Sequence, residues 1–240
     1  EILCGTIGHV RVRFLPRHGR GHRLAPSTVN ARANIDALKR AGCTDILAIS
    51  AVGSLSEDLA PGRFVAVDQF IDNTKGRPSS FFGDGFVTHV SMADPVCPRL
   101  SKLAAKSVAA AGGECAEGAT YLAMEGPQFS SRAESRLYRH WGAEVIGMTG
   151  MPEAKLAREA ELPYALLAMV TDYDCWRDGE AHVEVHDILE TLHGNADRAV
   201  NTVVEFAKAL PETRPENSLD TVLDISLITD LGVADSGLMA

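Results

Sequence analysis

Two carboxylates close the most apolar stretch of this 240-residue chain. In Ala168-Met169-Val170-Thr171-Asp172-Tyr173-Asp174-Cys175-Trp176, Asp172 and Asp174 stand where a strand-like run stops, with aromatics beside them. Such groups either solvate a strand end or face a polar ligand from apolar surroundings. In the second case burial raises their pKa and lets them hold a proton. Three other segments offer groups for an anion. Arg17-His18-Gly19-Arg20-Gly21-His22 brings a planar fork of donors suited to phosphate and a histidine that can donate or carry a proton. Ser50-Ala51-Val52-Gly53-Ser54 and Gly147-Met148-Thr149-Gly150 bring hydroxyls and backbone N–H groups of the kind that cradle oxyanions. Each segment alone is also ordinary turn chemistry or a solvated basic loop. Together they suggest an oxyanion held without a metal, in reach of a carboxylate pair.

The elements that must position these groups can be read from periodicity. Val10 to Leu15, Asp45–Ser50, Arg63–Phe70, residues 119–124, 143–148 and Tyr164–Val170 read as strands, with Pro61-Gly62 as a turn. Helical spacing recurs after Ser27, which can N-cap a helix that Gly42 stops, and again near 96–111, 130–141, after Pro152, and from about 185 to 209. A loop rich in Gly, Pro and Phe fills 72–95. Strands alternating with helices specify an α/β fold with a mixed, mostly parallel central sheet flanked by helices. The reading is one domain over 1–210 followed by a less regular C-terminal arm or helix over 211–240. In such sheets ligands bind where loops leave the carboxyl ends of strands, so the four polar strand ends are expected to share one crevice. The stretch Cys4 to Gly8 (CGTIG) imitates a phosphate loop, but strand-like HVRVRFL follows it, so it reads as a hairpin turn. Taken singly, Met148 and Phe129 read as core, His89 as a surface histidine, and Trp141 and Trp176 as packing residues.

Composition narrows the function. A net charge of −9 argues against a nucleic-acid partner yet leaves room for a small anionic substrate. Five cysteines without a C-x-x-C pair favour reduced thiols in the cytoplasm over a disulfide framework or a zinc site. No apolar run approaches the roughly 18 residues of a membrane span, and no signal-peptide layout is present.

Read in order, PRHGRGH, NARANIDALKRAG, SAVGSL, DQFIDNT, MEGPQFSSRAES, GMTGMPEAKLAREA and TDYDCW resemble the purine nucleoside phosphorylase family, and most closely its 5'-methylthioadenosine branch. The resemblance covers roughly residues 1–210. The family's opening strand and Gly-Gly-(Ser/Thr)-Gly loop have no counterpart in these residues, so the resemblance starts at the following hairpin. It implies phosphorolysis of S-methyl-5'-thioadenosine to adenine and 5-methylthioribose 1-phosphate, with phosphate as co-substrate and no other cofactor. It also implies a homotrimer. Phosphate contacts fall on Arg17, His18, Ser50, Ala51 and Thr149; Met148 meets the sugar, Phe129 stacks on the base, and Asp172 and Asp174 read it. Asp172 and His18 carry the proton chemistry. Ser130, Val185 and Ile188 tune substrate choice, and His89 reaches a neighbour's site near the 5' end of the sugar.

Residue chemistry favours the same substrate. An ionised carboxylate accepts from a 6-amino group, whereas the 6-oxopurine branch carries Asn at the equivalent of Asp172. Val185 and Ile188 suit a methylthio group better than a hydroxyl. The alternatives are a phosphorylase for inosine or methylthioinosine, suggested by Gly147 where the adenine branch often has Asn, and an inactive nucleoside-binding homologue.

Overall fold

Tyr164-Ala-Leu-Leu-Ala-Met-Val-Thr-Asp172 is apolar without alternation, the pattern of a strand covered on both faces. The computed structural model describes residues 2–177 and 185–234, with the backbone alone at 185–190, 192 and 193. Its elements, in chain order, are β1 (Leu3–Ile7), β2 (Val10–Phe14), α1 (Ala31–Arg40), β3 (Ile46–Ser54), β4 (Phe64–Ala66) and β5 (Gln69–Asn73). There follow α2 (Pro98–Ala110), β6 (Cys115–Glu117), β7 (Thr120–Met124), α3 (Arg132–His140), β8 (Val145–Gly147), α4 (Gly150–Glu159), β9 (Tyr164–Asp172) and α5 (Val185–Ala209).

Strands β5-β7-β8-β3-β9-β4-β6 form one sheet in that order, and β1-β2 is a separate hairpin. Within the sheet β3/β9, β4/β6, β5/β7 and β7/β8 run parallel, while β3/β8 and β4/β9 run antiparallel. The mixed, mostly parallel sheet is therefore as the alternation of elements required. Its centre is the β3/β9 pair, in register from Ile46↔Tyr164 to Val52↔Val170, with a slip before Gly53↔Asp172. Ile35 of α1, Ala48 and Val52 of β3, Tyr121, Leu156 and Leu166 form the main core. Helix α2 packs on α5 and α1 on α4, so both faces of the sheet are covered.

Several boundaries differ from the sequence reading, each for a tertiary reason. Asn30, not Ser27, caps α1, accepting from Ala33 N at 3.0 Å; Ser27 lies in a 3-10 turn and donates instead to Glu125. Strand β3 runs on through Gly53 and Ser54, because these pair with Ile146 and Val145 of β8. Arg63–Phe70 is two strands. Residues Phe64–Ala66 sit between β9 and β6, and the chain then crosses so that Gln69–Asn73 pairs with β7 at the far edge. No Gly or Pro separates the two strands, only Val67 and Asp68, so the sequence pattern could not reveal the crossing. The short β6 lacks the alternation that would announce it. The hairpin turn lies at Gly8, with Cys4–Ile7 in β1. Beyond Pro211, Arg214 bonds Asp45 and Asp220, a 3-10 helix spans Ser218–Ile225, and Leu227 bridges to Thr88. The five cysteines are unpaired.

Candidate active site

Arg17 follows β2 and turns its guanidinium into the protein. Its Nε and Nη2 donate to Glu153 Oε2 and Oε1 at 3.0 and 2.8 Å, and Nη1 donates to the Ile49 carbonyl at 3.0 Å. Burial pulls its pKa down, but the charge of Glu153 outweighs this and holds it above the ordinary arginine value. Ser50, next to Ile49, places its hydroxyl 3.5 Å from that of Thr149, the residue before α4. Beside them stands buried Tyr121, whose hydroxyl accepts from the Thr149 and Gly150 amides at 3.3 and 3.4 Å. Ala51 continues β3 beside Ser50. Four expected anion ligands thus gather at one place. A cleft of about 220 Å³ opens alongside, lined by Ser27, Asn30, Arg77, Thr149, Met151 and Glu153 among others. Of the four expected anion ligands only Thr149 lines it, and neither Asp172 nor Asp174 does.

His18 stacks on His22, ring centroids 4.0 Å apart, and its Nδ1 lies 2.8 Å from the Leu24 carbonyl. A carbonyl can only accept, so Nδ1 carries a hydrogen and Nε2 is the free lone pair of the neutral ring. Burial lowers the pKa of His18 despite the support of the Leu24 bond, which favours that neutral form.

The carboxylates lie farther along the same strand pair. Ser50 faces Ala168 and Gly53 faces Asp172, so three residues of β3, about 10 Å at 3.3 Å each, separate the anion end from the carboxylate end. Asp172 is half-buried, and its oxygens accept from Thr171 Oγ1 and Asp174 N, each at 2.7 Å. The second bond closes an Asx-turn and holds Asp174 at a φ of 50°. Burial raises the pKa of Asp172 over the opposing pull of those two donors. Asp174 is raised also, by burial first and by the charge of Asp172, against the nearby Ser135 and Ser130 hydroxyls. Its Oδ2 is buried without a hydrogen-bond partner.

Gly53 makes this packing feasible. A Cβ there would stand 2.9 Å from Asp172 Oδ1 and 3.1 Å from Ile146. The aromatics beside the carboxylates brace the turn. Trp176 donates from Nε1 to Ser54 O at 2.8 Å and carries the Arg139 guanidinium on its face at 3.4 Å. Arg177 covers Tyr173 at 3.3 Å.

The remaining expected residues are distributed around this frame. The Met148 carbonyl is held by Arg77 at 2.6 Å, and its thioether fills the space beside Gly126. Phe129 leaves 47 % of its surface exposed, so it is not a core residue. Ser130 sits by the carboxylates, its carbonyl accepting from Cys175 Sγ at 3.2 Å. His89 is exposed and held by its backbone to Ser226. Val185 and Ile188 open α5, but their side chains lie outside the described residues. Trp141, read as packed, is 46 % exposed, with its ring tilted against that of Tyr138.

Sequence reasoning missed Glu153, Tyr121, Tyr164 and Arg77. Tyr121 explains Gly147: a Cβ at 147 would lie 2.1 Å from the Tyr121 hydroxyl, so a tyrosine from β7 fills the space an Asn would need. Arg77 ties the Met148 and Met151 carbonyls to that of Glu125. No local signal could have found these residues, because each acts through partners distant in sequence. Among the described residues, no cluster of His, Cys, Asp and Glu is placed to hold a metal ion, and no helix is long and apolar enough to cross a membrane.

A family model described as the phosphorylase superfamily matches residues 1–208. The chain is 53 % identical to an S-methyl-5'-thioadenosine phosphorylase of Cereibacter sphaeroides, over 100 % of this chain and 83 % of that one. It is 59 % identical to the enzyme of that name from Rhodospirillum rubrum, over 88 % and 70 %. Among solved structures, a methylthioadenosine phosphorylase from an antarctic soil metagenomic library superposes with a TM-score of 0.93 at 47 % identity, covering 99 % of this chain and 84 % of that one. The Schistosoma mansoni methylthioadenosine phosphorylase in complex with adenine gives 0.89 at 36 %, covering 94 % and 87 %.

Proposed function

This chain belongs to the phosphorylase superfamily, and from that premise we propose that it cleaves S-methyl-5'-thioadenosine with phosphate to adenine and 5-methylthioribose 1-phosphate. It is a pentosyltransferase of the purine nucleoside phosphorylase type. The observation that carries the reading is the half-buried carboxyl of Asp172, which faces Gly53 three residues along β3 from Ser50 and its neighbours Arg17 and Thr149.

In this reading phosphate sits against Arg17, Ser50, Ala51 and Thr149, with His18 offering Nε2 to a phosphate hydroxyl. A phosphate oxygen attacks C1' as the bond from C1' to the purine nitrogen breaks, and that electron pair passes into the ring. Asp172, whose pKa burial raises, gives a proton at N7 and accepts from the 6-amino group. Asp174 and Ser130 complete the base pocket, Phe129 stacks on the ring, and Met148 lies under the ribose. The reaction balances with phosphate as sole co-substrate, so neither a metal nor a coenzyme has a step in it. Val185 and Ile188 receive the methylthio group, and their apolar surface favours methylthioadenosine over adenosine by about 10–200-fold. Unpaired cysteines suit a cytoplasmic location.

Purified protein incubated with methylthioadenosine is expected to release adenine only when phosphate is added, and to leave inosine largely intact. Release independent of phosphate, or a preference for inosine, overturns the assignment; binding of nucleoside without turnover identifies the inactive homologue.

A homotrimer is part of the same proposal, and the surroundings of His89 support it. The residue is exposed, and near it Val87 bonds Ile228 through the backbone, with both side chains open to solvent. An apolar surface of this kind suits a neighbouring subunit, which would receive His89 near the sugar's 5' end. Light scattering is expected to give three times 25.7 kDa; a monomeric mass in an active preparation contradicts this arrangement.

A further inference from the structure

Glu153 has no step in the reaction above, yet the residue is only 8 % exposed and three donors converge on its carboxylate. Two are Arg17 Nε and Nη2, and the third is the Tyr164 hydroxyl at 3.0 Å. Tyr164 is fully buried, and burial raises its pKa well above the ordinary value, so it stays protonated and donates. A carboxylate this deep is costly unless paired, and the way it is paired has a consequence for Arg17. A guanidinium carries five N–H donors in a fixed plane. Glu153 takes the one on Nε and one on Nη2, and the Ile49 carbonyl takes one on Nη1. One N–H is left on each terminal nitrogen. Three bonds to two separate elements also fix the plane against rotation. One of those elements is β3, where Ile49 precedes Ser50; the other is α4, which begins directly after Thr149. The pair therefore fastens together the two elements that carry the facing hydroxyls.

We infer that Glu153, supported by Tyr164, is a positioning residue for phosphate: it fixes Arg17 so that its two remaining N–H groups and the Ser50 and Thr149 hydroxyls form a preorganised oxyanion clamp. The inference rests on the proposal that phosphate binds at Arg17. Glu153 touches no substrate and acts through the arginine.

The test is steady-state kinetics of the full chain carrying Glu153→Gln, with phosphate varied at saturating nucleoside and nucleoside varied at saturating phosphate. Glutamine keeps the size but turns an N–H toward Arg17, so the guanidinium must move. The KM for phosphate is expected to rise about tenfold or more, in keeping with the sensitivity of bound geometry to small displacements, while the KM for nucleoside stays within about twofold. Tyr164→Phe, which removes only a hydroxyl, is expected to shift the phosphate KM in the same direction by less, and it decides the matter if Glu153→Gln does not fold. A phosphate KM that is unchanged or lowered, or two KM values that rise together, overturns the role of Glu153. A wild-type rate indifferent to phosphate instead overturns the proposed reaction, so the two failures are distinguishable.

Discussion

Replacing Asp172 with Asn is expected to lower kcat/KM for methylthioadenosine by about 10²–10⁴-fold and to raise it for the 6-oxo analogue. The amide can still accept from Asp174 N through its oxygen, so the Asx-turn survives. It has no proton to give at N7, however, and it presents an N–H where the 6-amino group needs an acceptor. A site built around one polar pattern rejects the other because a buried group is left unpaired. Comparing methylthioadenosine and methylthioinosine as substrates of both proteins checks this. An unchanged ratio would mean that Asp172 does not read the base.

The same variant separates chemistry from stability. The pKa of Asp172 is raised by burial above its ordinary 3.8, so the folded state binds that proton more tightly than the unfolded state does. Its contribution to stability is then fully present below the unfolded pKa and is lost as pH rises through the folded one. Asn titrates in neither state. The Tm of Asp172→Asn should exceed that of the wild type at neutral pH, and the gap should close as the pH falls toward about 4. An inactive yet stabilised variant could not be explained by a damaged fold.

Arg17→Ala should have the second large effect, on both activity and stability. Losing one preorganised donor to a developing or bound anion typically lowers kcat by about 10²–10³-fold. Here the change also exposes phosphate to the unneutralised Glu153 carboxylate. The Arg17 and Glu153 side chains are only 16 % and 10 % exposed, and removing one partner of a buried ion pair costs about 3–5 kcal/mol. Adding Glu153→Gln to Arg17→Ala removes the stranded charge. The double variant should regain much of the stability by urea denaturation while phosphorolysis stays absent. Recovery of activity along with stability would show that Arg17 serves the fold and not the anion.

The fold was legible in the sequence to the extent that its signals were local. The apolar run of β9, the helix stop at Gly42 and the Pro near the start of α4 each place an element through periodicity or turn chemistry. Errors arose where two strands abut without a Gly or Pro between them, as at Arg63–Phe70, or where a strand continues through residues that resemble a loop, as at Gly53-Ser54. Neither is a failure of propensity. Both depend on which strand lies alongside, and that is a long-range fact.

The candidate site divides in the same way. Arg17, Thr149, Asp172 and Asp174 were found as residues able to do chemistry at the ends of strands, as was Ser50, which the structure places inside β3, and the order of their segments carried the family resemblance. What they do to one another was not readable. Arg17 meets Glu153 across 136 positions, Tyr121 takes the volume left by Gly147, and Gly53 is small because Asp172 packs against it.

The sequence by itself determined which groups are present, the segments that carry them, and the alternation of strands and helices that makes the sheet, because types and spacings act over a few residues. Only the tertiary structure decided that the guanidinium is pinned by a carboxylate, that burial raises the pKa of Asp172, and that Ser50 stands about 10 Å along β3 from the residue that faces Asp172. Orientation, desolvation and distance are properties of packed neighbours, and no stretch of chain contains its own neighbours.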